Sequence, residues 1–457
     1  MKLATAVWDR CRRLPPRAIL ALGWVVALVY AYPGVMTIDS SDQLNEARAN
    51  FYTDSHPPIM AVVWRYVDAI VPGPFGMWVI QSVAFVAGLY WLLVRDLAPR
   101  RAAVATVAIF LFPPVLAPMA VIWKDSLMAG MFLLGLAGVL RESRRARAAG
   151  LAALWFATAL RYNAFAAAAP LVVLLFAWSY AATWRRYALA IGAWLAITVA
   201  AIGANAVITD QPMHFWYSSL AVFDICGTLA HVDGTIPDDE LRQTFAGTDL
   251  LVDHDIHAAI RARYEPWNND PIVGGDGRLW ALPINGTVPA PEAQRDAVGR
   301  AFWDVVTAHE GAYLAHRVAV TEELLGIHTH SIGKIVRMHD SQSVGHLLNE
   351  HLATGWSPVQ GALAAGVRWL ARHGPLFRPW LYLVLSLGML WPARRHRDVA
   401  ALLLSGIGLA ASLFFLAPSP DYRYLHWMVV CTVISAVILA ARRPRTRKLG
   451  DNTQPRS

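Results

Sequence analysis

The sequence predicts an α-helical, polytopic membrane protein, and three observations support this class. The chain is 56% hydrophobic with a mean hydropathy of +0.39. Several apolar stretches approach the roughly 20 residues that a helix needs to cross a bilayer. Only 16% of the residues are charged, whereas soluble domains have about 25%. An ordinary cytosolic enzyme is therefore not expected, and the three widely separated cysteines, Cys11, Cys226 and Cys431, argue against a disulfide scaffold.

Ten apolar stretches predict transmembrane helices. The two shortest need flanking residues to complete a crossing. The first shows no small-residue cleavage pattern, so we expect it to remain in the protein as an uncleaved span. The predicted spans are 18–33, 76–94, 102–117, 126–140, 150–160, 164–180, 187–208, 376–391, 399–417 and 424–441.

The segment 57–71 is predicted to be an amphipathic helix lying at the membrane interface. Its apolar run of about 15 residues would be roughly 22 Å long as a helix, and it contains Arg65 and Asp68. When this helix is not counted as a span, the arginine clusters all fall on one side of the membrane. That side carries 23 of the 40 Lys and Arg residues but only five of the 32 Asp and Glu residues. The positive-inside rule makes that side cytoplasmic, with both termini, as in a bacterial-type inner or plasma membrane. The net charge of +8 thus indicates topology and not a nucleic-acid partner.

This topology divides the chain into four parts. Residues 1–208 form a membrane module whose first extracytoplasmic loop is 33–75. Residues 209–375 form an extracytoplasmic segment of mixed, mainly helical structure, with a helical run over 291–325. Residues 376–441 are the C-terminal transmembrane helices, and 442–457 are a basic cytoplasmic tail.

Two acids follow the first predicted span, Asp39 and Asp42. Ser40 and Gln43 have the spacing of a capping box, and acids such as Asp42 favour a helix N-terminus. These two effects leave Asp39 without a structural role. A carboxylate at the membrane surface can act as a general base on a hydroxyl. Partial desolvation is expected to raise its pKa and to make it a better base.

Basic residues are scarce in the short outer turns and helix ends. There are three of them, Lys124, Arg161 and Arg423, and each lies at a span boundary. Snorkelling or a local ion pair would explain any one of them. Their convergence at the membrane surface would instead create a binding site for a lipid phosphate, with the arginines as bidentate donors.

A metal site is not favoured by the sequence. His328, His330 and His339 cluster, but a His-x-His pair without a spaced third ligand is a poor zinc signal. The chain also has no Gly-rich phosphate loop, no Gly-x-Ser-x-Gly elbow and no Cys-x-x-Cys. No cofactor is therefore expected, although a divalent metal stays possible.

The order of these parts resembles the C-type superfamily of integral-membrane glycosyltransferases, most nearly the branch of the protein mannosyltransferases and lipid A aminoarabinose transferases. The resemblance covers about 30–210 and a short stretch near the end. It is carried by an acid after the first span, a His-Pro-Pro before a juxtamembrane helix, a Lys-Asp heading the fourth helix and an Arg in the outer turn after the fifth, that is, by Asp39, His56-Pro57-Pro58, Lys124-Asp125, Arg161, Asn163 and Arg423-Tyr424.

The resemblance implies transfer of a sugar from a polyprenyl-phosphate donor to an acceptor hydroxyl outside the cytoplasm, with inversion. It implies Asp39 as the base, but family members often have an Asp-Glu pair there, so Asp42 is an alternative. The donor phosphate would be bound by His56, Lys124, Asp125, Arg161 and Arg423. The substrate groove would be lined by Asn163 and Tyr424. Trp64 and Tyr66 of the interfacial helix are further candidates for this groove, with packing against the bilayer as the alternative that the sequence favours.

The expected partners are the lipid-linked donor, membrane lipids and an acceptor that is a glycan, a lipid or a protein. The sugar, the polyprenyl length and the acceptor stay open. A transporter or flippase for a lipid-linked or amphipathic substrate is the alternative, but such proteins place polar residues near the bilayer midplane and often in repeated halves. A non-catalytic assembly subunit is a third possibility.

Overall fold

The computed structural model describes residues 14–176, 183–274, 277–281, 289–328, 330 and 357–442. Within these ranges every regular element is a helix, and β-pairing is confined to isolated bridges. The predicted helical class is confirmed, and the described part of the 209–375 segment is helical rather than mixed. The proposed tail beyond Arg442 and the end of the sixth predicted span lie outside the described residues.

The described part of the N-terminal 208 residues contains ten helices. They are α1 (Pro16–Ala31), α2 (Ile38–Ala49), α3 (Ile59–Ile70), α4 (Phe75–Leu93), α5 (Pro99–Phe110), α6 (Pro113–Met119), α7 (Lys124–Val139), α8 (Arg144–Ala159), α9 (Ala164–Leu175) and α10 (Trp184–Ile208).

Ten more helices of the described chain follow. They are α11 (Val222–Ala230), which a π-helical turn (Tyr217–Ala221) precedes, α12 (Asp238–Thr244), α13 (Ile256–Arg263), α14 (Asp270–Val273), α15 (Glu292–Ala308), α16 (Glu310–Leu324), α17 (Pro358–His373), α18 (Pro379–Ala393), α19 (Arg397–Leu416) and α20 (His426–Arg442), with 3₁₀ turns at Pro375–Phe377 and Tyr422–Leu425.

Several of these helices could span a membrane, but fewer than the sequence predicts. Four of the described helices are long and apolar enough: Phe75–Leu93, Trp184–Ile208, Arg397–Leu416 and Tyr422–Arg442. A fifth is counted if α5 and α6, which meet at a 71° bend, are one span. The prediction of about ten spans is therefore not supported. Hydropathy does not register such a bend, which falls where Pro113 and Pro114 cannot continue the hydrogen bonding of α5.

The membrane module is held together by close helix packing. A Cβ on Gly88 of α4 would lie 2.6 Å from the backbone nitrogen of Leu134 on α7, and one on Gly150 of α8 would lie 2.6 Å from that of Val139. Small residues let helix backbones approach closely enough for extensive van der Waals contact. The position of α7, and of Lys124 at its start, is fixed by this packing.

The segment 57–71 forms a separate helix, α3, of 12 residues. Its Asp68 accepts two hydrogen bonds from Arg48 of α2, at 2.8 and 2.9 Å. Trp64 and Met60 are fully buried on one face, whereas Tyr66 is 67% exposed on the other. The helix is amphipathic, as the sequence predicts.

The 209–375 segment is connected to the C-terminal helices by a hydrogen bond from Arg317, which is itself held in a buried ion pair within the segment. The carboxylate of Asp224 on α11 accepts hydrogen bonds from Arg317 at 2.5 Å and from His316 at 3.0 Å, both on α16. Arg317 also donates to the carbonyl of Ala417, at 2.9 Å. Because Ala417 follows α19 directly, this network fixes the chain that leads to the candidate site.

Candidate functional site

A cavity of about 1360 Å³ lies where the starts of α2 and α7 meet the turns that precede α3, α9 and α20. It brings together eight residues that the sequence singles out. These are Asp39, Asp42, His56, Lys124, Arg161, Asn163, Arg423 and Tyr424.

Hydrogen bonds between distant parts of the chain hold the start of α2 against the residues that precede Lys124. Thr37 is the N-cap of α2 and forms a capping box with Ser40, so the predicted Ser40–Gln43 box is wrong. Ser40 then donates its hydroxyl to the carbonyl of Ile122 at 2.6 Å, and the backbone of Val35 pairs with the strand-like stretch before α7. Asp39 and Lys124 are thereby brought to the same side of the cavity.

Asp39 forms an ion pair with Arg423. Nη1 of Arg423 lies 2.6 Å from Oδ2 of Asp39, and Nε2 of His56 lies 3.9 Å from Oδ1. Burial alone would raise the pKa of Asp39, but the charges of Arg423, His56 and Lys124 outweigh it and hold this pKa well below its usual range. The expectation of a raised pKa at Asp39 is therefore wrong, because desolvation is overcome by the adjacent cations.

Lys124 and His56 form a hydrogen-bonded pair, with 2.7 Å between Nζ and Nδ1. An ammonium has donors only, so Nδ1 of the imidazole accepts and the ring proton lies on Nε2, facing Asp39. Burial, reinforced by the charge of Lys124, lowers the pKa of His56 to about 3. His56 is thus neutral at pH 7.

Arg161 is oriented by three neighbours. It forms an ion pair with the buried Asp125, donates its Nε to Oδ1 of Asn163 at 3.3 Å, and has its guanidinium 4.6 Å from the centre of the Tyr424 ring. Asp125 itself does not line the cavity. A carboxylate that is 1% exposed reaches the cavity only through Arg161, so direct contact of Asp125 with a donor is not supported.

Asp42 differs from Asp39 in its electrostatic environment. It is a solvent-exposed residue of the cavity wall. Desolvation by the surrounding protein, followed by the like charge of Asp39, raises the pKa of Asp42 to about 6. The two neighbouring carboxylates therefore have pKa values shifted in opposite directions.

Trp64 and Tyr66 are not where the sequence predicts them. Neither lines the cavity. The indole nitrogen of Trp64 donates to the carbonyl of Gly73 at 3.1 Å inside the protein, and Tyr66 points away from the core. The helical period of α3 separates residues 64 and 66 by about 200°, so they cannot share one face. The cavity is lined by the turn before this helix, at Pro57, and not by the helix itself.

Other residues of the site have little or no signal in the sequence. Asp421 lies 2.9 Å from Nε of Arg423, whose guanidinium lies 4.7 Å from the centre of the Trp123 ring. The first contact is an instance of the local ion pair by which the sequence could explain Arg423. The opposite wall comes from the 209–375 segment and includes His214, Phe215, Trp216, Tyr217, Asn269, Asp270 and Arg278.

That opposite wall contains an aromatic surface. The rings of Trp216 and Tyr217 meet edge to face with their centres 4.8 Å apart, and Trp216 is 37% exposed. His214, just before them, has a left-handed backbone with φ of 54°, which is uncommon for a residue other than glycine. Such backbone conformations cluster at functional sites.

No group of three or more His, Cys, Asp or Glu residues that could hold a metal occurs in the described part of the chain. His328 and His330 lie 3.3 and 3.1 Å from Glu322 and Glu323, and His339 lies outside the described residues.

Comparison with known proteins gives no match, either to a protein-family model or to a curated protein or a solved structure. The function of the chain is accordingly inferred from the residues of the cavity.

Proposed function

We propose that this protein transfers a sugar from a polyprenyl-phosphate donor to an acceptor hydroxyl at the extracytoplasmic surface of the membrane, with inversion. The observation that carries the proposal is the convergence of Lys124, Arg161 and Arg423 on one cavity that also contains Asp39 and Asp42. The three cations come from three distant parts of the chain, and the two acids lie together at the start of α2. A site for an anionic leaving group next to a proton acceptor is what this reaction requires.

The donor phosphate would be bound by hydrogen-bond donors that the protein leaves unused. Lys124 has no carboxylate partner among the described residues, and its contact with neutral His56 engages one of its three donors. Arg161 and Arg423 turn Nη1 and Nε toward their carboxylate and amide partners. Nη2 of each has no acceptor in the part of the chain that the structure describes, which leaves it for phosphate oxygens. These cations would stabilise the charge that develops as the sugar–phosphate bond breaks.

The acceptor hydroxyl must lose its proton as its oxygen attacks the anomeric carbon. The proton passes to a carboxylate, and the bonding pair of the sugar–oxygen bond leaves with the lipid phosphate. Asp42 suits this role better than Asp39, because a pKa of about 6 is close to the working pH and Asp39 is engaged by Arg423. Asp39 would then position Arg423, although the resemblance implies that Asp39 is the base.

We place the cavity at the extracytoplasmic ends of the helices, with both termini of the chain in the cytoplasm. Arg423 precedes α20 and Arg442 ends it, so the 17 residues of the helix, about 25 Å, separate the cavity from the arginine clusters. The positive-inside rule assigns those clusters to the cytoplasmic side. The aromatic wall at Trp216 and Tyr217 would face the acceptor.

The test is release of polyprenyl phosphate by the purified full chain in lipid, with several polyprenyl-phosphate sugars and extracted envelope acceptors. We expect acceptor-dependent release with at least one donor. A Lys124→Met variant should lose most of it, whereas Asp239→Asn, a 96% exposed acid outside the cavity, should not. Saturable donor binding without release from any donor would contradict the transferase and favour a transporter.

A further inference from the structure

A second cavity lies at the opposite ends of the C-terminal helices from the candidate site. It has a volume of about 500 Å³ and lies between the ends of α18 and α20. Its inner wall is apolar, with Met389 of α18 and Leu439 of α20. Its rim is basic and aromatic, and consists of Trp391, Arg394, Arg395, His396 and Arg442.

Among the described residues, acids neutralise only one of the three arginines on this rim. Arg442 pairs with Asp96 at 2.7 Å and with Asp398 at 2.6 Å. Arg394 and Arg395 have no ion pair in the described part of the chain, and the guanidinium of Arg394 lies 3.5 Å from the centre of the Trp391 ring. Two positive charges on the rim are therefore available to an anion.

An apolar surface continues from this rim along α18. Trp391 is 70% exposed, and Leu387 and Val384, one and two turns earlier on the helix, are 52% and 57% exposed. An exposed tryptophan beside an apolar helix face is typical of the boundary between lipid chains and head groups. A ligand of this cavity would thus have an anionic group at Arg394 and Arg395 and a hydrocarbon chain along α18.

We propose that this cavity binds an anionic phospholipid, with its phosphate at Arg394 and Arg395 and an acyl chain against α18. Basic pockets between transmembrane helices bind anionic head groups in this way, and arginine forms bidentate contacts with phosphate. A free phosphate ion would use the two arginines but not the apolar wall. The site does not depend on the function proposed for the first cavity, because its chemistry and its test involve no sugar donor.

The experiment measures lipid binding to the full chain in detergent by native mass spectrometry, with phosphatidylglycerol, cardiolipin and phosphatidylcholine added in turn. We expect the two anionic lipids to bind at least tenfold more tightly than phosphatidylcholine. An Arg394→Gln/Arg395→Gln variant should bind phosphatidylglycerol about 30-fold more weakly, since each basic residue near an anionic head group contributes about fivefold. Arg394→Lys/Arg395→Lys should keep most of the affinity, because it keeps both charges.

Arg101→Gln is the matched control, since Arg101 is exposed on α5 outside this cavity. It should bind phosphatidylglycerol as the unchanged protein does. Equal binding of phosphatidylcholine, or unchanged binding by the Gln/Gln variant, would overturn the proposal. Displacement of phosphatidylglycerol by inorganic phosphate at millimolar concentration would also overturn it, because the site would then recognise the ion alone.

Discussion

Asp39 and Arg423 form an ion pair, with 2.6 Å between Oδ2 and Nη1, that joins the chain just after the first helix to the chain just before the last. Both residues line the larger cavity. The pair keeps Asp39 ionised and holds the guanidinium of Arg423 in place between the rings of Trp123 and Tyr424. The neighbouring Asp42 is left as the carboxylate with the raised pKa, about 6.

The first prediction concerns the identity of the base. Asp42→Asn should lower the rate of polyprenyl-phosphate release by about 10²- to 10⁴-fold, because the amide cannot accept the proton of the acceptor hydroxyl. Asp39→Asn should lower it less and should raise the donor KM, because Arg423 loses its partner. Initial rates at saturating and limiting donor separate the two effects. If Asp42→Asn stays active and Asp39→Asn does not, the base is Asp39.

The second prediction concerns the pH dependence of release. Only the ionised form of Asp42 accepts a proton, and its pKa is raised to about 6, so the rate should be maximal above this pH and should fall as the pH drops below it. Removing the charge of Asp39 removes a cause of the raised pKa. The acid limb of Asp39→Asn should therefore move to lower pH. If the rate of the Asp39→Asn variant falls at the same pH as that of the unchanged protein, Asp42 is not the titrating group.

The third prediction concerns donor binding. Lys124→Met and Arg161→Met each remove a charged donor, and hydrogen bonds to charged groups contribute about 1.5–3 kcal/mol, so the donor KM should rise roughly 10- to 100-fold. Arg65→Gln removes an exposed cation of α3 outside the cavity and should leave the donor KM unchanged. Binding of a non-hydrolysable donor analogue should weaken in parallel. An unchanged KM in both Met variants would place the donor phosphate elsewhere.

The site was predictable from the sequence where a residue lies at a helix end. The positive-inside rule predicted that Lys124, Arg161 and Arg423 lie on one side, and the structure brings all three to one cavity. Trp64 was placed wrongly because its orientation depends on the rotation of α3 about its own axis, which the core around Gly73 determines. The wall at Trp216 depends on contacts between distant parts of the chain, which no local pattern indicates.

The helical class was predictable from apolar composition, whereas the number of spans was not. Apolar composition reports how much of the chain avoids water, and it gives the same signal for a straight helix and for one that bends at Pro113. Short helices also pass as spans when flanking apolar residues are counted with them. The 12-residue α9, about 18 Å long, is an example.

The fourth prediction concerns stability. Arg317 is fully buried and its only carboxylate partner in the described chain is Asp224, so Asp224→Leu alone should lower the free energy of unfolding by about 3–5 kcal/mol. The double variant Asp224→Leu/Arg317→Met should recover most of this loss, because no unpaired charge is left inside the protein. Thermal or denaturant unfolding in detergent measures both. A double variant no more stable than the single one would show that the pair does more than neutralise charge.

The fifth prediction concerns the acceptor wall. Trp216 is exposed in the cavity opposite the cations, and aromatic contacts of this kind contribute about 0.5–1.5 kcal/mol beyond the area they bury. Trp216→Ala should therefore raise the acceptor KM about threefold to tenfold and leave the donor KM unchanged, because the proposed phosphate site lies on the other wall. Trp303→Ala is the matched control, since Trp303 is 62% exposed on the same segment but outside the cavity. If Trp216→Ala raises the donor KM and the acceptor KM equally, the two substrates share this wall. The division of the cavity into a donor side and an acceptor side would then be wrong.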